Sequence, residues 1–239
     1  LLLVLLALPL IGLGQNVNIP DANFKAYLLG NTAINTNGDT EIQVSEASAF
    51  TGAINCSWMS ISNLTGIEAF TALTWLECSY NQLTSLNVSQ NTALTELYCG
   101  GNQLTSLNVS QNTALTDLTC GWNQITSLDV SQNTALTDLR CSYNQLTSLN
   151  VSQNTALTYL DCESNQLTSL NVSQNTALIV LNCSDNQLTS LDVSQNTALT
   201  GLGCASNQLT SLNVRNGNNT NFTDPDAYGN PNLYCIDVD

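Results

Sequence analysis

A unit of 21 residues recurs almost letter for letter through the middle of the chain, and a short fixed period leaves few architectures open. One copy runs from Leu94 to Ala114, and its cysteine returns at Cys78, Cys99, Cys120, Cys141, Cys162, Cys183 and Cys204, always 21 positions apart. A unit this short cannot bury its own apolar edge. It must stack on copies of itself, which makes a solenoid.

Each unit holds two similar halves of 10 and 11 residues. Leu97 and Cys99 alternate in the first half, Leu107 and Val109 in the second. Period-two alternation predicts a short strand in each half with those side chains inward. Asn102 and Asn112 follow the strands. Stacked asparagines at such places satisfy turn backbone groups and one another, a structural ladder and not a ligand site.

The first half, Leu94-x-x-Leu97-x-Cys99-x-x-Asn102-x-Leu104, resembles the leucine-rich-repeat signature, and the whole unit resembles the 21-residue subclass of secreted bacterial leucine-rich-repeat proteins. The resemblance covers residues 56–214 and implies a mainly β solenoid with short parallel strands. Members of this group are typically secreted or surface proteins, many with a C-terminal sorting or anchoring module. Around the repeats, residues 15–55 form a non-repetitive N-terminal cap with a small helix. Residues 215–239 lose the register and are expected to be an irregular C-terminal cap, truncated after the strand-like segment that ends at Asp239.

Residues 1–14 are almost wholly apolar, too short a run to span a bilayer comfortably, and small Gly12 and Gly14 precede polar Gln15 and Asn16. This is the pattern of a secretory signal peptide without its initiator Met and basic start, so the chain is expected to be exported and to be a fragment. Eighteen acidic residues face three basic ones, Lys25, Arg140 and Arg215, for a net charge of −15. Such a chain does not neutralise phosphates or seek an anionic membrane surface, which argues against nucleic acid. With 43% hydrophobic residues a continuous core is available.

Nine cysteines in an exported chain ordinarily suggest disulfides. Here the spacing places all nine, including Cys56 and Cys235, in one inward column. Parallel side chains on adjacent strands bridge awkwardly, so a dry ladder of free thiols is the expected state.

Core and turn positions are nearly constant, so information sits on outward positions. Along the first strand, one column reads Trp75, Glu96, Asp117, Asp138, Tyr159, Val180, Gly201, and the next reads Glu77, Tyr98, Thr119, Arg140, Asp161, Asn182, Gly203. A third runs from Ser79 to Ala205, and ahead of each Asn stand Tyr80, Gly101, Trp122, Tyr143, Ser164, Asp185 and Ser206. Outward Trp and Tyr are enriched in binding hot spots. The stripe of Trp75, Tyr80, Tyr98, Trp122, Tyr143 and Tyr159, flanked by Glu77, Glu96, Asp117, Asp138, Arg140 and Asp161, could anchor a protein or stack on a glycan. Aromatics also simply favour strands, so a purely structural role stays open. A repetitive Ser and Asn/Asp ladder on the second strand, from Ser85 to Ser211, raises a minor alternative, an ice-binding face.

In the N-terminal cap, the segment after the small amphipathic helix resembles an EF-hand calcium loop: Asn35, Asn37 and Asp39 as side-chain donors, Glu41 through its carbonyl, Gln43, and Glu46 as the bidentate position. Asn35 replaces the usual Asp and Thr40 the usual Gly, so the resemblance implies low-affinity calcium at most. Neither histidine nor a phosphate-cradling Gly loop occurs, and no paired carboxylates suggest a cleft, so no enzyme activity is expected. The expected function is a non-enzymatic recognition module for an extracellular protein or glycan. A structural spacer between the export signal and a missing C-terminal anchor is the alternative.

Overall fold

A computed structural model describes residues 14–222 and 224–239. The expected signal peptide, but for Gly14, lies outside the described residues. From Ala53 onward the chain lays down one three-residue strand per turn: β1 (Ala53–Asn55), β2 (Trp75–Glu77), β3 (Glu96–Tyr98), β4 (Asp117–Thr119), β5 (Asp138–Arg140), β6 (Tyr159–Asp161) and β7 (Val180–Asn182). Then come β8 (Ser190–Asp192), β9 (Gly201–Gly203), β10 (Ser211–Asn213), β11 (Asp224–Asp226) and β12 (Cys235–Asp237). Nine of these form one parallel sheet in the order β1-β2-β3-β4-β5-β6-β7-β9-β11, and β8, β10 and β12 form a second. The register is the repeat itself: Leu76 pairs with Leu97, Leu97 with Leu118, Leu118 with Leu139. The chain is thus a leucine-rich-repeat solenoid of parallel strands.

Strands β1 to β10 each have a buried centre and two outward flanks, as alternation requires, whereas Ile236 at the centre of β12 is exposed. Behind the leucines, Cys56, Cys78 and the six cysteines to Cys204 form a file of fully buried free thiols. Each cysteine amide donates to the next coil, as Cys99 does to the Thr119 carbonyl at 2.8 Å, so the column carries ladder bonds as well as core.

Both asparagine ladders are present, and they differ. Asn102 Nδ2 donates to the carbonyls of Cys78 and Cys99 at 3.1 and 3.0 Å, and its Oδ1 accepts from the Leu83 amide at 3.0 Å. Asn112 Nδ2 donates to the Val88 and Asn91 carbonyls, both at 2.9 Å, whereas its Oδ1 is buried without a protein partner.

Three expectations need correction. A strand in the second half of every unit occurs, in the described residues, only at β8 and β10, with an isolated bridge between Asn87 and Asn108. Asn108, Asp129 and Asn150 accept from the amides of Ser110, Ser131 and Ser152, a turn that Asp192 and Asn213 also make where β8 and β10 end. The flat Ser ladder therefore lacks a continuous sheet beneath it. Residues 215–239 are not irregular throughout: β11 pairs with β9 and β12 with β10, so the coil is continued with a longer spacing. That longer spacing puts Ala227 after the strand where a cysteine would fall, and Cys235 opposite Ser211 on the outside, exposed.

At the other end two short helices, α1 (Ala22–Gly30) and α2 (Val44–Ala49), cover the first coil. Phe24 and Leu28 from α1, with Ile34 and Ile42, are fully buried in the same core. Asp21 caps α1 by accepting from the Asn23 and Phe24 amides at 3.0 Å, and its other oxygen accepts from the Ser62 amide at 2.8 Å. One carboxylate thus fixes the helix start and ties it to the solenoid.

Candidate functional site

The outward face of the nine-stranded sheet and the turn just after each strand hold the residues singled out in the sequence. The inward cysteine and one further residue follow each strand, then the chain turns through the left-handed region at Trp58, Tyr80, Gly101, Trp122, Tyr143, Ser164, Asp185 and Ser206, with φ between 51° and 63°. Bulky residues rarely adopt that conformation. Here the coils hold them in it: the amides of Tyr80, Trp122 and Tyr143 donate to Gly100, Ser142 and Glu163 carbonyls of the next coil at 2.8–2.9 Å.

This turn projects the side chains outward, and parallel stacking aligns them. Trp58 and Tyr80 stack with ring centroids 4.1 Å apart at 13°, and Trp122 and Tyr143 stack at 3.9 Å and 14°. Trp58 is 71% exposed and Trp122 58%, so these are surface pairs. On the strands, Trp75 meets Tyr98 at 5.9 Å, tilted, and both are half-buried.

The carboxylates interleave with these rings. Glu96 accepts from the Tyr98 hydroxyl at 2.8 Å. Burial first, then this acceptor and the other acidic neighbours, push the Tyr98 hydroxyl well above the ordinary tyrosine range. Arg140 lies fork-to-fork with Asp138, both bonds 2.9 Å, and its guanidinium sits 4.5 Å over the Tyr159 ring. Its charged state is favoured chiefly by the Asp138 bond. Tyr159 is raised by burial and by Asp161, with Arg140 opposing. Trp58, Glu77, Tyr80, Tyr98, Asp117, Asp138 and Arg140 line one open groove, while Asp161 and Tyr143 extend the face beyond it.

Two residues were missed in the sequence. Trp58 belongs to the column, and the signal was there: Cys56-Ser57-Trp58 reproduces Cys78-Ser79-Tyr80. Glu163 takes the Asn182 side-chain amide at 2.9 Å and the Tyr143 hydroxyl at 3.4 Å, joining the face to its aromatic edge. The column from Ser79 to Ala205, expected outward, is largely buried at Ser79, Gly100, Gly121, Ser142 and Ser184. A Cβ on Gly121 would come within 2.9 Å of the Ser142 carbonyl oxygen, so backbone crowds that one position, whereas the same column admits Glu163.

The cap loop gathers Asn35, Asn37, Asp39 and Glu46, but its oxygens serve the loop itself. Asn35 Oδ1 accepts from Gly38, Asn37 Oδ1 from Asp39, and Asp39 Oδ1 from Glu41, at 3.1, 2.8 and 2.8 Å. Glu46 accepts from the Thr36 amide at 2.8 Å and, as the capping-box residue of α2, from Gln43 at 3.0 Å. The Glu41 carboxylate pairs with Lys25 at 2.8 Å. Among the described residues no group of three or more carboxylate, thiol or imidazole side chains is placed to hold a metal.

No protein-family model matches the chain. Internalin J of Listeria monocytogenes serotype 4b (strain F2365) is 43% identical over 72 residues, which is 30% of this chain and 8% of that protein. The chain therefore spans less than a tenth of that relative's length. Among solved structures, an internalin C2 from Listeria monocytogenes superposes with a TM-score of 0.70 at 23% identity, covering 94% of this chain and 98% of the other. A leucine-rich-repeat protein of Leptospira interrogans superposes at 0.66 with 25% identity, over 82% of this chain and 51% of the other.

Proposed function

We propose that this chain, a bacterial leucine-rich-repeat protein with a buried cysteine ladder, is a non-catalytic recognition module that grips an extracellular protein through the aromatic and acidic face of its long sheet. The observation that carries this reading is the left-handed column with its two stacked aromatic pairs. Nothing in the core requires Trp or Tyr there, since Ser164 and Ser206 hold the same backbone, and exposed aromatics beside charge are what partners bury. The acidic excess of the face favours a partner with a basic surface, through attraction over a Debye length and exclusion of acidic competitors. Export, whether into the medium or onto the cell surface, is part of the proposal, supported by the apolar run at 1–14.

The test is a screen of the immobilised protein against extracellular protein and glycan panels, followed by the combined variant Trp75→Ala, Trp122→Ala and Tyr143→Ala. Loss of the recovered ligand in the folded variant supports the face. A ligand held equally by variant and parent moves the site elsewhere, and no ligand from either panel returns the solenoid to the role of a spacer.

A further inference from the structure

The groove on this face changes chemistry along its length. Coil by coil it runs from the stacked rings of Trp58 and Tyr80, past Tyr98 on β3, to Asp117 and Asp138 on β4 and β5. Small Ser79 and Thr119 line the space between, and the groove holds about 460 Å³. The aromatic end is rigid before any partner arrives: the two stacked rings rise from turns held by coil-to-coil amide bonds, and the Tyr98 hydroxyl is tied to Glu96 at 2.8 Å. At the acidic end Arg140 already forks onto Asp138. No cation pairs with Asp117 among the described residues, and its carboxylate accepts from the Thr116 hydroxyl at 2.8 Å.

The backbone beneath the groove decides what kind of segment can lie in it. The amides of Cys78 and Tyr80 donate to the Tyr98 and Gly100 carbonyls, and those of Cys99 and Gly101 to the Thr119 and Gly121 carbonyls, at 2.8–2.9 Å. With these groups spent between coils, a partner strand has no main-chain edge here to pair with. A segment in the groove must leave its own backbone to water. Polyproline II does so, having no internal hydrogen bonds and, at each proline, no amide to donate. Its rings dock against aromatic-lined grooves. A helix also satisfies its own backbone, but it docks by a continuous apolar stripe. Here the apolar lining is broken by Glu77 and ends at Tyr98. Three coil spacings of about 4.8 Å part the Trp58 coil from the Asp117 coil, about 14 Å, which polyproline II covers in about five residues. Resting on the recognition role of this face, we propose that the groove takes a proline-rich segment of the partner. Its prolines lie against Trp58, Tyr80 and Tyr98, and a basic residue about five positions away meets Asp117.

The test uses two variants that keep the fold. Trp58→Ser with Tyr80→Ser places at both turns a residue that Ser164 and Ser206 already hold in the same backbone conformation. Asp117→Asn removes the charge and keeps the shape. The probes are acetylated pentaproline-arginine, pentaproline-citrulline and pentaalanine-arginine amides, each made with the sixth residue at either end. Binding to the full chain is read by calorimetry at low salt. Pentaproline-arginine, in one of its two directions, should bind about tenfold tighter than either of the others, through one charge-assisted contact and a pre-ordered backbone. The double serine variant should bring it down to the pentaalanine-arginine level, and Asp117→Asn to the citrulline level. Trp122→Ser, outside the groove, should leave both preferences intact. No binding at millimolar peptide, equal binding of the proline and alanine peptides, or a proline preference that survives the double serine variant would overturn the groove. The combined Trp75, Trp122 and Tyr143 variant separates the two levels. If it loses the screened partner while the double serine variant keeps it, the face stands and the groove falls. If neither variant affects that partner, the recognition reading itself has failed.

Discussion

Single side chains divide here into those that hold coils together and those that distinguish one coil from the next. The cysteines belong to the first kind. Burial pushes the Cys56, Cys120 and Cys204 thiols up to about 12, and the thiols between them are raised as well, so almost no thiolate exists at neutral pH. A thiol reagent added to the native protein should modify Cys235 quickly and the eight buried thiols only after denaturant is added. Mass spectrometry showing early modification spread along the ladder would contradict the burial. Much of this was legible in the sequence, because a strict 21-residue column has only one place to go in a stack. Cys235 was not legible: its Leu-x-Cys setting mimics the repeat, and only the added residues of the last coil turn it outward. The asparagine columns were readable too, although not the lone acceptor of Asn112, which depends on which neighbouring amides are already used. The left-handed turn escaped entirely. Trp and Tyr are poor candidates for positive φ, and only the coil-to-coil amide bonds hold them there.

Among the described residues, the N-terminal cap holds three of the five carboxyls kept below their ordinary range, Asp21, Asp39 and Glu46, the other two being Asp129 and Asp192 of the repeats. Burial would raise the Asp21 carboxyl, but bonds from Phe24, Ser62 and Asn23 outweigh it and hold the group below its ordinary range. Glu46 follows the same pattern, burial being outweighed by Gln43, Thr36 and Asn37. A depressed folded pKa means the stabilisation is present above about pH 4 and is lost as pH falls through the folded value. Proteolysis should therefore clip the α1 and α2 region at acid pH before the repeats open, and Asp21→Ala should show the same weakness at neutral pH, with a loss of about 1–2 kcal/mol. Glu46→Ala addresses the calcium reading of the loop. With the Asn35, Asn37, Asp39 and Glu46 oxygens engaged internally, the variant should lower Tm equally in chelator and in millimolar calcium. A Tm gain in calcium that only the parent shows would instead make these residues ligands. The resemblance to a calcium loop was visible in residue types. The internal bonds that compete with an ion were not, since they depend on how Gln43 and α2 close the segment.

For the molecule as a whole, stacking turns a small per-coil property into a steep collective one. Eight thiols have folded pKa values raised above the ordinary thiol value. Raised values leave stability intact below the unfolded pKa of about 8.5 and erode it as pH climbs, because only the unfolded chain releases those protons. Each contributes about 1.4 kcal/mol per pH unit, so the ladder should cost on the order of 10 kcal/mol per unit once the unfolded thiols ionise. Urea midpoints in reductant should be flat to about pH 8 and then fall steeply, less so in Cys120→Ala. A midpoint unchanged to pH 10 would contradict the shared burial. The constant 21-residue register has one more consequence, in the currency of heredity. Excising residues 101–121 would leave every leucine, cysteine and asparagine column aligned, yet set Tyr80 directly beside Trp122. Unequal crossing-over between neighbouring copies can thus lengthen or shorten this protein without cost to its interior. Each such event moves the aromatic pairs relative to one another by whole coils, so that copy number, inherited as a length, becomes a way to redraw the footprint a partner must match.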